Sequence, residues 1–201
     1  GMWFAILITV LVGYLLGNLN GAVCMSQLIA HEDVRSHGSG NAGLTNFIRN
    51  YGAGKSLAVI AIDGGKAALA CLAGGLILAP YGYGLEGRVL GGVMVMLGHD
   101  FPALQGFKGG KGILSGCIIA FVVDWRIGVI ALAVFAILYL TTQYVSLGSI
   151  FGTIALCVGF VVFYYHNWIV MLCGVLMGGL ALFMQRKNIC RLIKGEESRL
   201  L

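Results

Sequence analysis

The segment Ile127–Gln185, IGVIALAVFAILYLTTQYVSLGSIFGTIALCVGFVVFYYHNWIVMLCGVLMGGLALFMQ, runs 59 residues without one Asp, Glu, Lys or Arg. A bilayer crossing needs about 20 apolar residues, so the stretch holds roughly three crossings. Its turn residues divide it into spans near 127–142, 148–164 and 168–184. Outside it, further low-charge stretches predict spans near 3–29, 55–78, 88–99 and 112–124. The expectation is an all-α integral membrane bundle of about seven transmembrane helices, because the runs are continuous and do not alternate as barrel strands do. The stretches 88–99 and 112–124 are short for a crossing, which predicts tilt, extension into a loop, or partial re-entry.

Composition points the same way. Of 201 residues, 59 % are apolar, 32 are Gly, 2 are Pro and only 10 % are charged. A soluble domain carries about 25 % charged residues, so this chain cannot clothe a water-facing surface, and it reads as one integral membrane domain over 1–201 with the lipid bilayer as its first partner. Gly1 ahead of Met2 reads as an expression remnant. The run from Met2 to Leu16 lacks a basic leading region and a small-residue cleavage site, so it is expected to stay as a span.

Lys and Arg number 13 against 8 Asp and Glu, a formal charge of +5. If the first helix starts outside, ten of the basic residues share one side and only Arg88 and Arg126 lie opposite, with Lys66 inside a helix. That bias places the N-terminus outside and the C-terminus in the cytoplasm. It also argues against a nucleic-acid partner, since the charges sit in loops rather than on one continuous patch. The six cysteines are scattered singly and read as small buried apolar residues. No spacing of His, Cys or acid suggests a metal, and no cofactor is implied.

Three polar segments should converge on the cytoplasmic face: 31–51, 99–112 and 185–201. The second reads Gly106-Phe107-Lys108-Gly109-Gly110-Lys111-Gly112 and leads into an apolar helix. Backbone amides of consecutive glycines turned on an anion, with a helix N-terminus behind them and Lys108 and Lys111 beside them, would bind phosphate. A flexible topogenic loop explains the same composition, and the P-loop pattern fails at Gln105 and Gly112. The first segment carries Gly38-Ser39-Gly40-Asn41-Ala42-Gly43 with Thr45, Asn46 and Arg49, suited to a polyol phosphate or to a plain turn cluster. Ser39 lacks a nucleophile elbow and a supporting His–Asp pair. Asp63 and Lys66 lie on one face of an apolar helix, as a structural pair or as site support. His99 and Asp100 are adjacent and point differently. Trp3, Trp125 and Trp168 sit near span ends, as interfacial anchors.

Together these ordered motifs resemble, over the whole chain, the bacterial integral membrane acyl-phosphate:glycerol 3-phosphate acyltransferases, the PlsY family. The resemblance also covers Gly98-His99 with Phe101-Pro102, Ser146-Leu147-Gly148-Ser149, and Asn188-Ile189 with Arg191-Leu192 and Gly195-Glu196. It implies transfer of a fatty acyl group from a fatty acyl phosphate to the first hydroxyl of glycerol 3-phosphate, giving lysophosphatidic acid and phosphate at the cytoplasmic face of the inner membrane. It carries Ser39, Arg49, Lys108, Lys111 and Asn188 over as catalytic. Gly40, Asn41, Thr45, Asn46, Gly109, Gly110, Gly112, Ser146, Ser149 and Gln185 become substrate contacts, and Asp63, Lys66, His99 and Glu196 site support. Two departures stand out: Gln185 replaces the family's His, and Ala67 follows Lys66 where glycine is usual.

An acyl phosphate is an activated anhydride whose departing phosphate can accept the attacking hydroxyl's proton, so Gln185 in place of a titrating base is tolerable. No His has an Asp five residues on, which disfavours an acyl-CoA enzyme of the soluble-domain type. A transporter of phosphate or organic anions is the alternative; the absence of a visible internal repeat weighs against it. A membrane scaffold without activity is the third reading.

Overall fold

A computed structural model describes residues 1–200, and among them the regular structure is entirely helical. Ten α-helices follow in order: α1 (Met2–Asn18), α2 (Gly21–Ala30), α3 (Leu44–Tyr51), α4 (Ser56–Leu78), α5 (Gly84–Asp100), α6 (Ile113–Val123), α7 (Trp125–Thr142), α8 (Val145–Tyr164), α9 (Trp168–Met184) and α10 (Arg186–Lys194). Four segments are long and apolar enough to cross a membrane: Met2–Ala30, Ser56–Tyr81, Trp125–Thr142 and Val145–Tyr164. A fifth is the pair α9 and α10, bent by 54° at Gln185. The protein is therefore a multi-pass helical membrane protein. Helix α5, with 17 residues, and α6, with 11, are shorter.

The long uncharged run becomes α7, α8 and α9, with α8 starting at Val145, three residues earlier than expected. The first run is not one helix. It breaks at Leu19-Asn20, where the Asn20 side chain accepts from Val23 N at 2.9 Å and caps α2. A helix break inside an apolar layer leaves backbone groups that only protein can satisfy. Here Lys66 Nζ donates to the carbonyls of Gly17 (3.2 Å) and Leu19 (2.5 Å), while Gly21 N donates to Asp63 Oδ1 at 3.0 Å. The two buried charges pair with each other at 2.9 Å. The Asp63–Lys66 pair thus holds the end of one helix and the start of the next.

The main core joins α4, α5, α6, α8 and α9 through Ala67, Cys71, Met96, Ile119, Phe160 and Met177. A smaller core under the first polar segment gathers Val23, Val34, Phe47 and Val59. One face of α1 presents Phe4, Leu7, Leu11 and Leu15 outward, as a lipid-facing stripe would. Trp3, Trp125 and Trp168 are exposed at the starts of α1, α7 and α9. All six cysteines are free thiols.

Candidate active site

The three polar segments meet at one end of the bundle. The second is held in place along its whole length. The Tyr14 hydroxyl donates to Phe101 O (2.7 Å) and accepts from Ala103 N, and Asn18 Oδ1 accepts from Leu104 N at 2.9 Å. The Arg35 guanidinium, gripped by Asp33 at 2.6 Å, donates to the carbonyls of Gln105 and Lys108, both at 2.8 Å. Gly109 N and Gly110 N then donate to the Asp100 and His99 carbonyls at 3.2 and 3.1 Å. A Cβ on Gly110 would run into the His99 ring, so glycine is needed for this approach. His99 itself is buried, with Nδ1 2.8 Å from Lys66 Nζ. The network that repairs the broken helix therefore also seats the glycine loop.

The loop delivers Lys111 into a cavity of about 300 Å³. Lys111 Nζ donates to Asn188 Oδ1 at 2.5 Å. Asn188 Nδ2 donates to Glu197 Oε1 at 3.2 Å, and Glu197 Oε2 takes Arg191 Nε at 2.7 Å. From the first segment, Arg49 donates to the backbone carbonyl of Ser198 at 3.2 Å. Three cations thus face a single carboxylate. Burial, reinforced by the Arg191 and Arg49 charges, pushes the Lys111 ammonium down to about 8. Such a site favours an arriving dianion, which would restore the ammonium. Below this cluster the walls turn apolar: Leu114 and Cys117 of α6, Leu132 and Phe135 of α7, Leu156 of α8, and Met177 of α9.

Most of the residues anticipated from sequence line this one cavity: Ser39, Asn41, Thr45, Asn46, Arg49, Asp63, His99, Lys111, Gly112, Ser146, Ser149, Gln185 and Asn188. Their states differ. Asn46 is saturated: Nδ2 donates to the carbonyls of Val34, His37 and Asn41, and Oδ1 accepts from Ser39 N. It shapes the first loop and has no spare group for a substrate. The Ser149 hydroxyl donates back to Val145 O at 2.8 Å. Ser39 is exposed and has no His or carboxylate bonded to it among the described residues.

Lys108 and Gly40 fall elsewhere, in a shallow groove with Asp33, Arg35 and Gln105. The amides of Gly109 and Gly110, expected to face an anion, are spent on carbonyls. Glu196 is exposed; its neighbour Glu197 enters the cavity instead. Arg191, Glu197 and Ser115 are cavity residues to which the sequence assigned no role. Ser115 had a visible signal, since it lies four positions after Lys111 at the start of a helix.

Among the described residues no cluster of His, Cys, Asp and Glu could hold a metal ion. A helical membrane bundle enclosing one cavity, cationic at its mouth and apolar in depth, defines a membrane protein suited to an amphiphilic anion. The chain belongs to the glycerol-3-phosphate acyltransferase family, whose model matches residues 7–195. A glycerol-3-phosphate acyltransferase of Finegoldia magna is 38 % identical over 194 residues, covering 94 % of this chain and 93 % of that one. One from Thermoanaerobacter sp. (strain X514) is 34 % identical, covering 96 % and 94 %. The crystal structure of PlsY (YgiH), an integral membrane glycerol 3-phosphate acyltransferase, is similar in its glycerol 3-phosphate form, with a TM-score of 0.84, 30 % identity, and 96 % and 94 % of the two chains covered. Its lysophosphatidic acid form gives a TM-score of 0.81 at 29 % identity over the same shares. These likenesses leave the transporter reading without support.

Proposed function

We propose that this protein acylates the first hydroxyl of glycerol 3-phosphate with a fatty acyl phosphate, releasing lysophosphatidic acid and phosphate. The observation that carries the reading is the cavity itself: a cluster of Arg49, Lys111 and Arg191 opens without interruption into an apolar limb between α6, α7, α8 and α9. An acyl phosphate has that polarity along its length, and the limb would take the alkyl chain. That the relative's crystal forms are named for glycerol 3-phosphate and lysophosphatidic acid supports the acceptor and the product.

In this scheme Lys111 and Arg191 neutralise the acyl phosphate, and Asn188, oriented by Glu197, sets the direction of the Lys111 ammonium. Arg49 and Ser39 sit at the mouth, where the soluble glycerol 3-phosphate would enter, and Thr45 and Asn41 line its path. The exposed Lys108 collects anions from solution and is not a contact of the reacting groups. The acceptor hydroxyl attacks the acyl carbon, the acyl–oxygen bond to phosphate breaks, and phosphate leaves with both the bonding pair and the hydroxyl proton. Positioning two anions side by side against cations is the main catalytic task.

The chain acts as one domain with seven crossings: α1 continued by α2, then α4, α5, α6, α7, α8 and α9. Ten cations at the site end against two at the other support a cytoplasmic site, an outer N-terminus and residence in a bacterial inner membrane. Purified protein given glycerol 3-phosphate should release phosphate and form lysophosphatidic acid with palmitoyl phosphate and not with palmitoyl-CoA. Equal product from the CoA thioester would refute the donor assignment.

A further inference from the structure

Six buried side-chain polar atoms have no hydrogen-bond partner among the described residues. Three of them, Ser115 Oγ, Ser146 Oγ and Gln185 Nε2, come from different helices or helix ends and line the same cavity. All three residues are more than nine-tenths buried: Ser115 is 1 % exposed, Ser146 6 % and Gln185 1 %. A folded chain satisfies nearly all of its buried polar groups, so three unsatisfied ones around one space mark where a ligand completes the bonding.

Ser115 is unusual among the helical hydroxyls here. Thr9, Ser149 and Thr153 each donate to the carbonyl four residues earlier. For Ser115 that carbonyl belongs to Lys111. Gly112 follows it with φ +68°, outside the helical region, so the Lys111 carbonyl is turned off the helix and the back-bond is lost. The same glycine that points Lys111 at the cation cluster leaves the hydroxyl one turn further on free.

Depth along the helices orders the cavity. Ser115 is in the first turn of α6, Ser146 in the first turn of α8, and Gln185 joins α9 to α10, three residues before Asn188. At 1.5 Å per residue, Leu156 lies roughly 15 Å deeper than Ser146, and Met177 roughly 12 Å deeper than Gln185. From the mouth inward the walls run from cations, through these unpartnered donors, to apolar side chains. An acyl phosphate runs from phosphate, through a carbonyl, to alkyl.

We propose that Ser115 is a further catalytic residue, its hydroxyl donating, together with Gln185 Nε2–H, to the acyl carbonyl oxygen; this rests on the acyl-transfer reading above. As the acceptor oxygen bonds to the acyl carbon, the carbonyl π pair moves onto that oxygen, and the two donors stabilise the charge formed there. The pair returns as the bond to phosphate breaks, and phosphate departs with the acceptor's proton. Neither Ser115 nor Gln185 gains or loses a proton in this sequence.

The test is the initial rate of phosphate release by the full-length protein in detergent, with glycerol 3-phosphate and palmitoyl phosphate, for the wild type and Ser115→Thr, Ser115→Cys and Ser115→Ala. A donor acting on charge that exists only in the transition state changes kcat and leaves KM nearly alone. The expected order is Ser and Thr alike, then Cys with its weak S–H, then Ala, with Ser115→Ala down about 100-fold and both KM values within about threefold. Should Ser115→Ala not fold, the Thr and Cys variants still read donor strength at similar volume. A Ser115→Ala protein keeping more than half its kcat, a loss confined to KM, or rates that follow side-chain volume would overturn the assignment while wild-type activity upheld the acyltransferase reading. A wild type that releases no phosphate would overturn both.

Discussion

Two seams of the bundle, α1 and α4 against α5 and α8 against α9, pack by different rules. Where α1 and α4 cross α5, Gly17, Gly74, Gly87, Gly91 and Gly98 meet backbone: a Cβ on Gly91 would strike the Ala70 carbonyl, and one on Gly98 the Tyr14 carbonyl. The glycines by which α9 packs on α8 meet side chains instead, Gly174 against the Phe160 ring and Gly178 against Cys157, whereas Gly148 and Gly152 of α8 face the Phe135 and Ala131 carbonyls of α7. Backbone cannot step aside and side chains can. The seam of α1 and α4 on α5 is therefore rigid, and from the end of α5 springs the loop that carries Lys111. The α8–α9 seam, which borders the apolar limb through Leu156 and Met177, has side chains that can adjust. Lys111, proposed above to meet the phosphate, is thus anchored on the seam that cannot adjust.

Substitutions that probe each seam should separate them. Gly91→Leu should prevent folding altogether, since overpacking against movable side chains already costs about 1–3 kcal/mol and here the obstacle is backbone. No monodisperse protein should survive detergent extraction, whereas Gly178→Ala should extract normally with a modestly lower melting temperature. Next in size is the buried ion pair. Replacing Asp63 alone by Leu leaves Lys66 uncompensated and frees Gly21 N, a loss of about 3–5 kcal/mol. The double change Asp63→Leu, Lys66→Leu should recover part of that in thermal melts, and a double variant worse than the single would contradict the pairing.

Activity divides the two lysines of the loop. Lys111→Ala should lower kcat/KM by about 10²–10³, the range for losing one preorganised charge donor. Lys108→Ala, from the separate groove, should cost about tenfold at most and lose its effect in high salt, because an exposed charge is screened. Equal losses at both positions would mean that the loop turns over on binding. The smallest effect is that of pH. Because the Lys111 ammonium is held at about 8 against 10.5 for free lysine, phosphate affinity should weaken as pH rises through 8, by up to tenfold per unit for one proton. Stability moves the other way. Between about 8 and 10.5 the unfolded chain holds a proton the folded one lacks, so Lys111 makes the fold more stable with rising pH there. Calorimetric titration with inorganic phosphate from pH 7 to 9, alongside melts with Lys111→Met as control, reads both signs.

Much of this architecture was legible from residues alone. The uncharged run Ile127–Gln185 does become three helices, because nothing in it can face water or end a helix except the turn residues at 143–144 and 165–167. The break at Leu19-Asn20 was not legible: hydropathy continues across it, and the groups that stabilise it, Asp63 and Lys66, lie more than 40 positions away. The convergence of the polar segments followed from charge sidedness, but which lysine enters the cavity did not. Lys108 and Lys111 share a glycine-rich context, and the choice depends on dihedral angles such as Gly112's φ of +68°. Glu196 and Glu197 were likewise indistinguishable in an irregular tail whose path is set by the Arg49 and Arg191 bonds. Asn46 looked like a ligand because an amide among glycines binds a carbonyl of either kind, and here it binds the chain's own.

The most direct measurement is an experimental structure of the protein with a non-hydrolysable palmitoyl phosphate analogue. The phosphate oxygens should lie within about 3 Å of Lys111 Nζ, with the alkyl chain running down the limb between α6, α7, α8 and α9 towards Leu156 and Met177. A headgroup bound at Lys108 and Arg35, or a chain lying on the outer surface of α1, would contradict the single cationic-to-apolar cavity on which the proposed chemistry rests.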